Sequence, residues 1–201
     1  MECYGINEED FSGSGPLAWA ARNGHGEAVQ VLLRQEDSNP DKSDNDGRTP
    51  LSDAAWNGHE GVVKILLGRE EVNPNKPDNE GRTPLSFAAR NGQEGVAKIL
   101  LGREEVNSDK PSNHGRTPLS LAGGNGHEGV VRILLEREEV SPDKPGIWGQ
   151  TALSDAARNG HERVVKILLG REEVNPDKPD NDGRTPLSFA AGKGRDGDAT
   201  L

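Results

Sequence analysis

The chain is short of the residues that most small folds depend on. Of its 201 residues, one is cysteine (Cys3) and 3% are aromatic, and the hydrophobic fraction is 31%. A single thiol excludes an intrachain disulfide framework and a cysteine-based metal cluster, and Cys3 reads as an inert thiol near the N-terminus. The thin apolar content is lean for one compact globule. No stretch approaches the roughly eighteen apolar residues that a membrane-spanning helix needs. Met1 to Ile6 has no basic region followed by an apolar one, so it does not read as a secretory signal. These absences point to a cytoplasmic or otherwise intracellular protein that is not secreted. Basic residues are outnumbered as well: 24 Lys and Arg against 34 Asp and Glu give a net charge of −10. That balance argues against nucleic acid or an anionic membrane as partner, and electrostatic steering would favour a basic one.

What is abundant is periodic. The chain carries 26 Gly and 13 Pro. The string GRTPLS begins at Gly47, Gly81, Gly115 and Gly183, with GQTALS at Gly149, each 34 residues after the last. A degraded copy runs from Gly13 to Leu17. The period predicts a lead-in over 1–14 and a degenerate repeat over 15–48. Repeats over 49–82, 83–116, 117–150 and 151–184 follow, and residues 185–201 form a truncated half repeat with a flexible tail.

Within each block the local chemistry is consistent. Thr83 is a helix cap and Pro84 loses nothing at the first helical position. Leu85, Ala88 and Ala89 form an apolar face, and Asn91 and Gly92 end the helix. In the second repeat another helix is predicted from His59 to Arg69, with Val62, Val63, Leu66 and Leu67 on one face and Ile65 widening it. Glu60 and Lys64 are expected to pair along that helix, as are Glu94 with Lys98, Glu128 with Arg132 and Glu162 with Lys166. The prolines and Asp/Asn/Gly content between Val72 and Gly81 call for an extended arm with a tight turn. One such block buries too little to offset the entropy of ordering it. Neighbouring blocks must therefore share their faces, which makes the array a solenoid.

A block reading DNEGRTPLSFAARNGQEGVAKILL, followed by a Val-Asn-Pro arm, resembles the ankyrin repeat over roughly residues 13 to 191. The resemblance implies an all-α fold: an α-solenoid of stacked helix-turn-helix repeats with extended β-turn arms. Three departures stand out. Ser52, Ser86, Ser120, Ser154 and Ser188 occupy the place where the family usually has His, which implies weaker stitching between repeats. The period is 34 rather than about 33. Ser at that position with a Pro-bearing arm is similar to ankyrin arrays common in filamentous fungi, where such arrays often form the C-terminal part of larger nucleotide-binding receptor-like proteins. The ends also differ. The first repeat lacks the capping Thr, and GKGRDGDATL is too Gly-rich for a second helix. The face formed by Val164, Val165, Leu168 and Leu169 should then be poorly covered and should fray, as in a truncated product or a piece of a longer chain.

The candidate sites follow by comparing the repeats with one another. His25, His59, His127 and His161 share one position, which Gln93 fills in the third repeat. Hydrogen bonding at a helix junction suits both residue types, and copies one repeat apart cannot converge on one ion. Asp44, Asp46, Asp78, Glu80, Asp180 and Asp182 lie at turn tips, where Asp precedes Gly for conformational reasons. The terminal Glu of a calcium loop is missing. No nucleophile–base arrangement is visible, so no catalytic residue, metal or cofactor is expected. Partners of such arrays bind the concave side built from arm tips and first helices. Two first-helix positions vary: Arg22, Trp56, Arg90, Gly124, Arg158, Gly192, and Trp19, Asp53, Phe87, Leu121, Asp155, Phe189. The arm tips read DNDGR, DNEGR, SNHGR, GIWGQ and DNDGR. Ile147 and Trp148 are the sharpest anomaly, and Trp148 is either an exposed anchor or a ring folded onto a neighbouring arm. Trp56 and the arginines are expected to be exposed, His114 to be a tip contact, and Gly123 with Gly124 to make a flexible point. The candidate partner-binding residues are therefore Trp56, Arg90, His114, Ile147, Trp148 and Arg158. The expected function is that of a monomeric, non-enzymatic protein-binding scaffold. The alternative is a structural spacer or C-terminal sensor segment of a larger fungal receptor-like protein.

Overall fold

A computed structural model describes residues 12–196, with side chains as far as residue 192. Among the described residues there are eleven helices and no strand, the all-α repeat solenoid class. In chain order they are α1 (Pro16–Arg22), α2 (Gly26–Leu32), α3 (Pro50–Asn57), α4 (Glu60–Leu67), α5 (Pro84–Arg90), α6 (Glu94–Leu101), α7 (Pro118–Gly124), α8 (Glu128–Leu135), α9 (Ala152–Asn159), α10 (Glu162–Leu169) and α11 (Pro186–Asp196). The described residues form two compact units. One holds those up to Ala88 together with Gly95–Asn107, and the other holds Ala89–Glu94 together with those from Ser108 onward. In the first unit α3 packs on α1 and α4 on α2; in the second, α9 packs on α7 and α11, and α10 on α8.

Each odd-numbered helix from α3 onward starts as its sequence demands. Thr49, Thr83, Thr117, Thr151 and Thr185 accept the amide N–H three residues on, at 3.1–3.3 Å. The serine that stands where the resemblance leads one to expect His stays inside its own helix start: Ser120 Oγ donates to the Thr117 carbonyl at 3.0 Å and Ser188 Oγ to the Thr185 carbonyl at 2.7 Å. Gly15, at the same position before α1, offers no side-chain cap. Such a cap is worth about 1 kcal/mol, so α1 begins the array less firmly than its successors.

The even-numbered helices bury two seams. In α4, Val62, Val63, Leu66 and Leu67 are all buried and Ile65 is half-buried. The first and last repeats separate the seams. In α2, Val29 and Leu33 are buried while Ala28 is exposed and Leu32 half-exposed. In α10 the pattern reverses: Val164 and Leu168 are buried, Val165 is half-buried and Leu169 is 50% exposed. The first pair of positions therefore faces the following repeat and the second pair faces the preceding one. Leu187, whose counterparts in α3, α5, α7 and α9 are buried, is 73% exposed. Amides in α10 and α11 are accordingly expected to exchange faster than those in α7 and α8; uniform protection across all four would contradict this.

The last repeat carries α11, which runs through Gly192 and Gly194 to Asp196, with no second helix after it among the described residues. Glycine lowers helix propensity by about 1 kcal/mol but does not forbid the backbone conformation. Of the half repeat and flexible tail expected over 185–201, residues 197–201 lie outside the described residues. Two local expectations need correction. Glu128 approaches Arg163 of the next repeat at 3.5 Å, rather than pairing along its helix with Arg132. Gly123 and Gly124 make a tight packing point, because both are buried. A Cβ on Gly123 would lie 3.2 Å from the Ala152 carbonyl oxygen, whereas one on Gly124 would meet the mobile end of Arg116 at 3.0 Å. Gly123→Ala is therefore expected to destabilise despite its better helix propensity, because the α9 backbone would have to yield. Gly124→Ala is expected to be neutral or to gain up to about 1 kcal/mol. Urea unfolding of the two variants distinguishes the cases.

Candidate functional site

The arms are built one side chain at a time. Asp44 Oδ1 accepts the amides of Asp46 and Arg48 at 3.0 and 2.8 Å, Asp78 those of Glu80 and Arg82 at 3.0 and 2.8 Å, and Asp180 those of Asp182 and Arg184 at 3.0 and 2.9 Å. These carboxylates are turn formers, as their place before Gly suggests. The second oxygen of Asp78 and of Asp180 holds the arginine at the arm base, Arg82 at 2.6 Å and Arg184 at 2.8 Å. That hydrogen bonding keeps the Asp180 carboxyl below the usual aspartate range, against the opposing effect of desolvation. The guanidinium then lies 5.0 Å over the ring of the helix behind it, Arg82 on Phe87 and Arg184 on Phe189.

One arm departs furthest from this pattern. Residues 146–150 read GIWGQ, so neither the turn-forming carboxylate nor the basic arm base is present. The backbone is held from both sides all the same. Ile147 donates its N–H to the His114 carbonyl at 3.2 Å, and Asn181 donates its amide N–H to the Trp148 carbonyl at 3.0 Å and its Nδ2 to the Ile147 carbonyl at 3.0 Å. On this fixed backbone Ile147 is 48% and Trp148 65% exposed, so the tryptophan does not fold onto a neighbouring arm. His114, on the adjacent arm, is also exposed.

The varying helix positions behave less simply. Arg90 is exposed. Trp56, expected to be exposed, is half-buried with its ring 5.5 Å from that of Phe87, tilted by 57°. Arg158 is half-buried, its guanidinium 4.2 Å over the Phe189 ring. The position that varies among Asp53, Phe87, Leu121 and Asp155 is buried in all four. Variation there reflects alternative ways of packing an arm, and sequence comparison alone does not separate that from a binding surface.

The two buried aspartates show what such a position costs. Asp53 Oδ2 accepts from Arg22 Nη2 at 2.9 Å and Nε at 3.2 Å, and Arg116 lies 3.2 Å from Asp155. Burial still pushes both carboxyls above the usual aspartate range, against the pull of the arginines. A carboxyl raised on folding binds its proton more readily in the native state. Its contribution to stability is full below the ordinary aspartate value and is lost as pH rises through the raised one. Asp53→Asn is therefore expected to gain on the parent protein as pH rises through that window towards neutrality. Thermal melts of both proteins across the acidic range check the sign, and a pH-independent difference would refute it.

The junction histidines stitch repeats together. His59 Nε2 hydrogen-bonds the Arg22 carbonyl at 3.0 Å, His127 that of Arg90 at 2.9 Å and His161 that of Gly124 at 3.1 Å, each 37 residues back in the chain. Each ring lies against the left-handed glycine of the preceding junction. A Cβ on Gly24, Gly92 or Gly126 would come within 2.5–2.7 Å of an imidazole Nδ1. The tie that the serines do not make across repeats is thus supplied here. No group of three or more His, Cys, Asp or Glu among the described residues is placed to hold a metal ion, and no helix among them is long and apolar enough to cross a membrane.

Sequence reasoning missed the buried Arg–Asp pairs, although a signal was there. Asp53 and Asp155 replace apolar residues at a repeat position, and each needed a cation from an earlier repeat. Comparison with known proteins agrees with the architecture. The family described as "Ankyrin repeats (3 copies)" matches residues 2–78, 70–145 and 138–200. A search of curated proteins finds no match. The chain belongs to the ankyrin-repeat family, whose members serve generally as protein–protein interaction modules.

Proposed function

We propose that the chain is a non-enzymatic scaffold that binds a protein partner through its arm tips and first helices. The observation that carries this reading is the exposed Ile147–Trp148 pair on a backbone clamped by both neighbouring arms. Exposing a tryptophan forgoes burial worth about 2 kcal/mol or more, and a large rigid side chain on a fixed backbone loses little entropy when a partner covers it. Arg90, His114 and Arg158 belong to the same compact unit and supply polar contacts. Trp56 serves chiefly to pack Phe87.

The near-identical repeats favour a second reading, a spacer or C-terminal sensor segment of a larger receptor-like protein, because recently duplicated blocks have had little time to acquire a tailored surface. Affinity capture on the immobilised chain, with proteins identified by mass spectrometry, separates the two. A binder that is lost from a Trp148→Ala, Ile147→Asp double variant of unchanged urea stability supports the scaffold. Binders that survive the change with folding intact refute the site.

A further inference from the structure

The repeats provide their own control for what an arginine late in a first helix recognises. Arg22 and Arg158 occupy the same repeat position. Arg22 directs Nε and Nη2 onto one oxygen of Asp53, at 3.2 and 2.9 Å, in the first helix of the next repeat. In the residue corresponding to Asp53, one repeat after Asp155, the chain has Phe189, and Arg158 stacks on that ring at 4.2 Å. Stacking engages the face of a guanidinium and leaves its in-plane N–H groups free to donate. The other arginines of this compact unit's arms have carboxylates: Arg116 has Asp155 at 3.2 Å, and Arg184 has Asp180 and Asp182 at 2.8 and 2.7 Å. Arg158 makes no close ion pair among the described residues; Asp155, on the same helix, feels its charge but is held by Arg116.

We infer that Arg158 is a carboxylate-reading position, and that the segment bound here carries an Asp or Glu a short distance from an aromatic or branched apolar residue seated at Ile147 and Trp148. The inference rests on the scaffold reading and adds the chemistry of its partner. Arm-base contacts orient the stripe: Arg116 touches Asp155 and Arg184 lies over Phe189, so the Asp155/Arg158 face of α9 looks towards the arms. Arg158 and Arg184 lie over the same Phe189 ring, and the arm that carries Arg184 also carries Asn181, which holds the Ile147–Trp148 backbone. The acid is therefore placed within a few residues of the apolar anchor. The net charge of −10 disfavours the approach of an acidic segment, but screening over about 8 Å at physiological salt leaves contact-range pairs to decide the fit.

The test pans a displayed library of random short peptides on the full chain and measures the enriched sequences by fluorescence anisotropy. The expected result is enrichment of an acid within a few residues of an apolar one. Arg158→Gln should weaken such a peptide about tenfold or more. It should leave unchanged the peptide whose acid is replaced by its amide, and Trp148→Ala should weaken both. A stack that is merely structural predicts no such coupling. Enriched peptides that are basic or lack the acid, or an acid whose affinity ignores Arg158→Gln at unchanged urea stability, overturn the inference while Trp148-dependent binding keeps the scaffold reading. If no peptide binds in a Trp148-dependent manner, both fall.

Discussion

Trp148→Ala is expected to weaken binding of a captured partner by about thirtyfold or more, the scale of an interface hot spot at about 2 kcal/mol. The urea midpoint should meanwhile stay unchanged to within about 0.5 kcal/mol. The asymmetry follows from where the side chain lies. With 65% of its surface exposed, the indole contributes little to the folded state. The bond that fixes the arm uses the Trp148 carbonyl, which alanine retains. Trp56→Ala should behave in the opposite way, costing at least about 1 kcal/mol of stability through its lost contact with Phe87 and affecting binding only as far as the fold is loosened. A partner affinity that responds to Trp56 and ignores Trp148 would reverse the assignment.

Leu135→Ala is expected to cost about 2–4 kcal/mol, and Leu169→Ala less than about 1 kcal/mol, although the two leucines occupy the same place in consecutive repeats. Leu135 is 7% exposed and Leu169 50%. Truncating the first opens a cavity between packed helices, while truncating the second removes atoms that already meet water. Urea unfolding followed by circular dichroism measures the difference, with hydrogen exchange locating it, because arrays of repeats need not unfold in one step. Equal costs would mean that the face of α10 is covered in solution by something other than the described residues.

Most of the fold was legible because the physics that shapes it is local. A Thr-Pro pair can start a helix wherever it occurs, and a glycine with positive φ ends a helix or closes a turn without reference to distant residues. The seams of α4, α8 and α10 were legible for a related reason: two adjacent apolar positions repeated one turn later admit little besides a helix buried on two sides. The junction histidines were legible through Gln93, since a place that accepts either residue needs a hydrogen-bonding group and not a metal ligand.

The candidate site was harder to read, and the failures share a cause. Asp53, Phe87, Leu121 and Asp155 vary as a binding surface would, yet all are buried: Arg22 holds Asp53, Arg116 holds Asp155 and Arg82 lies over Phe87. Gly123 and Gly124 read as a soft point through propensity and proved to be a close approach of α7 to α9. For Asp53, Asp155 and Gly123 the deciding neighbour lies in another repeat, beyond the reach of local sequence patterns.

By itself, then, the sequence determined the period, the two helices of each repeat, the turn-forming aspartates and the place where apolar coverage ends, because caps, breakers and apolar spacing act over a few residues. Tertiary structure alone decided which varying residues meet solvent, that Trp148 projects while Trp56 packs, and that Arg158 lies on a ring where Arg22 holds a carboxylate. Exposure and pairing are properties of surfaces brought together by stacking, and no single repeat contains both sides of them.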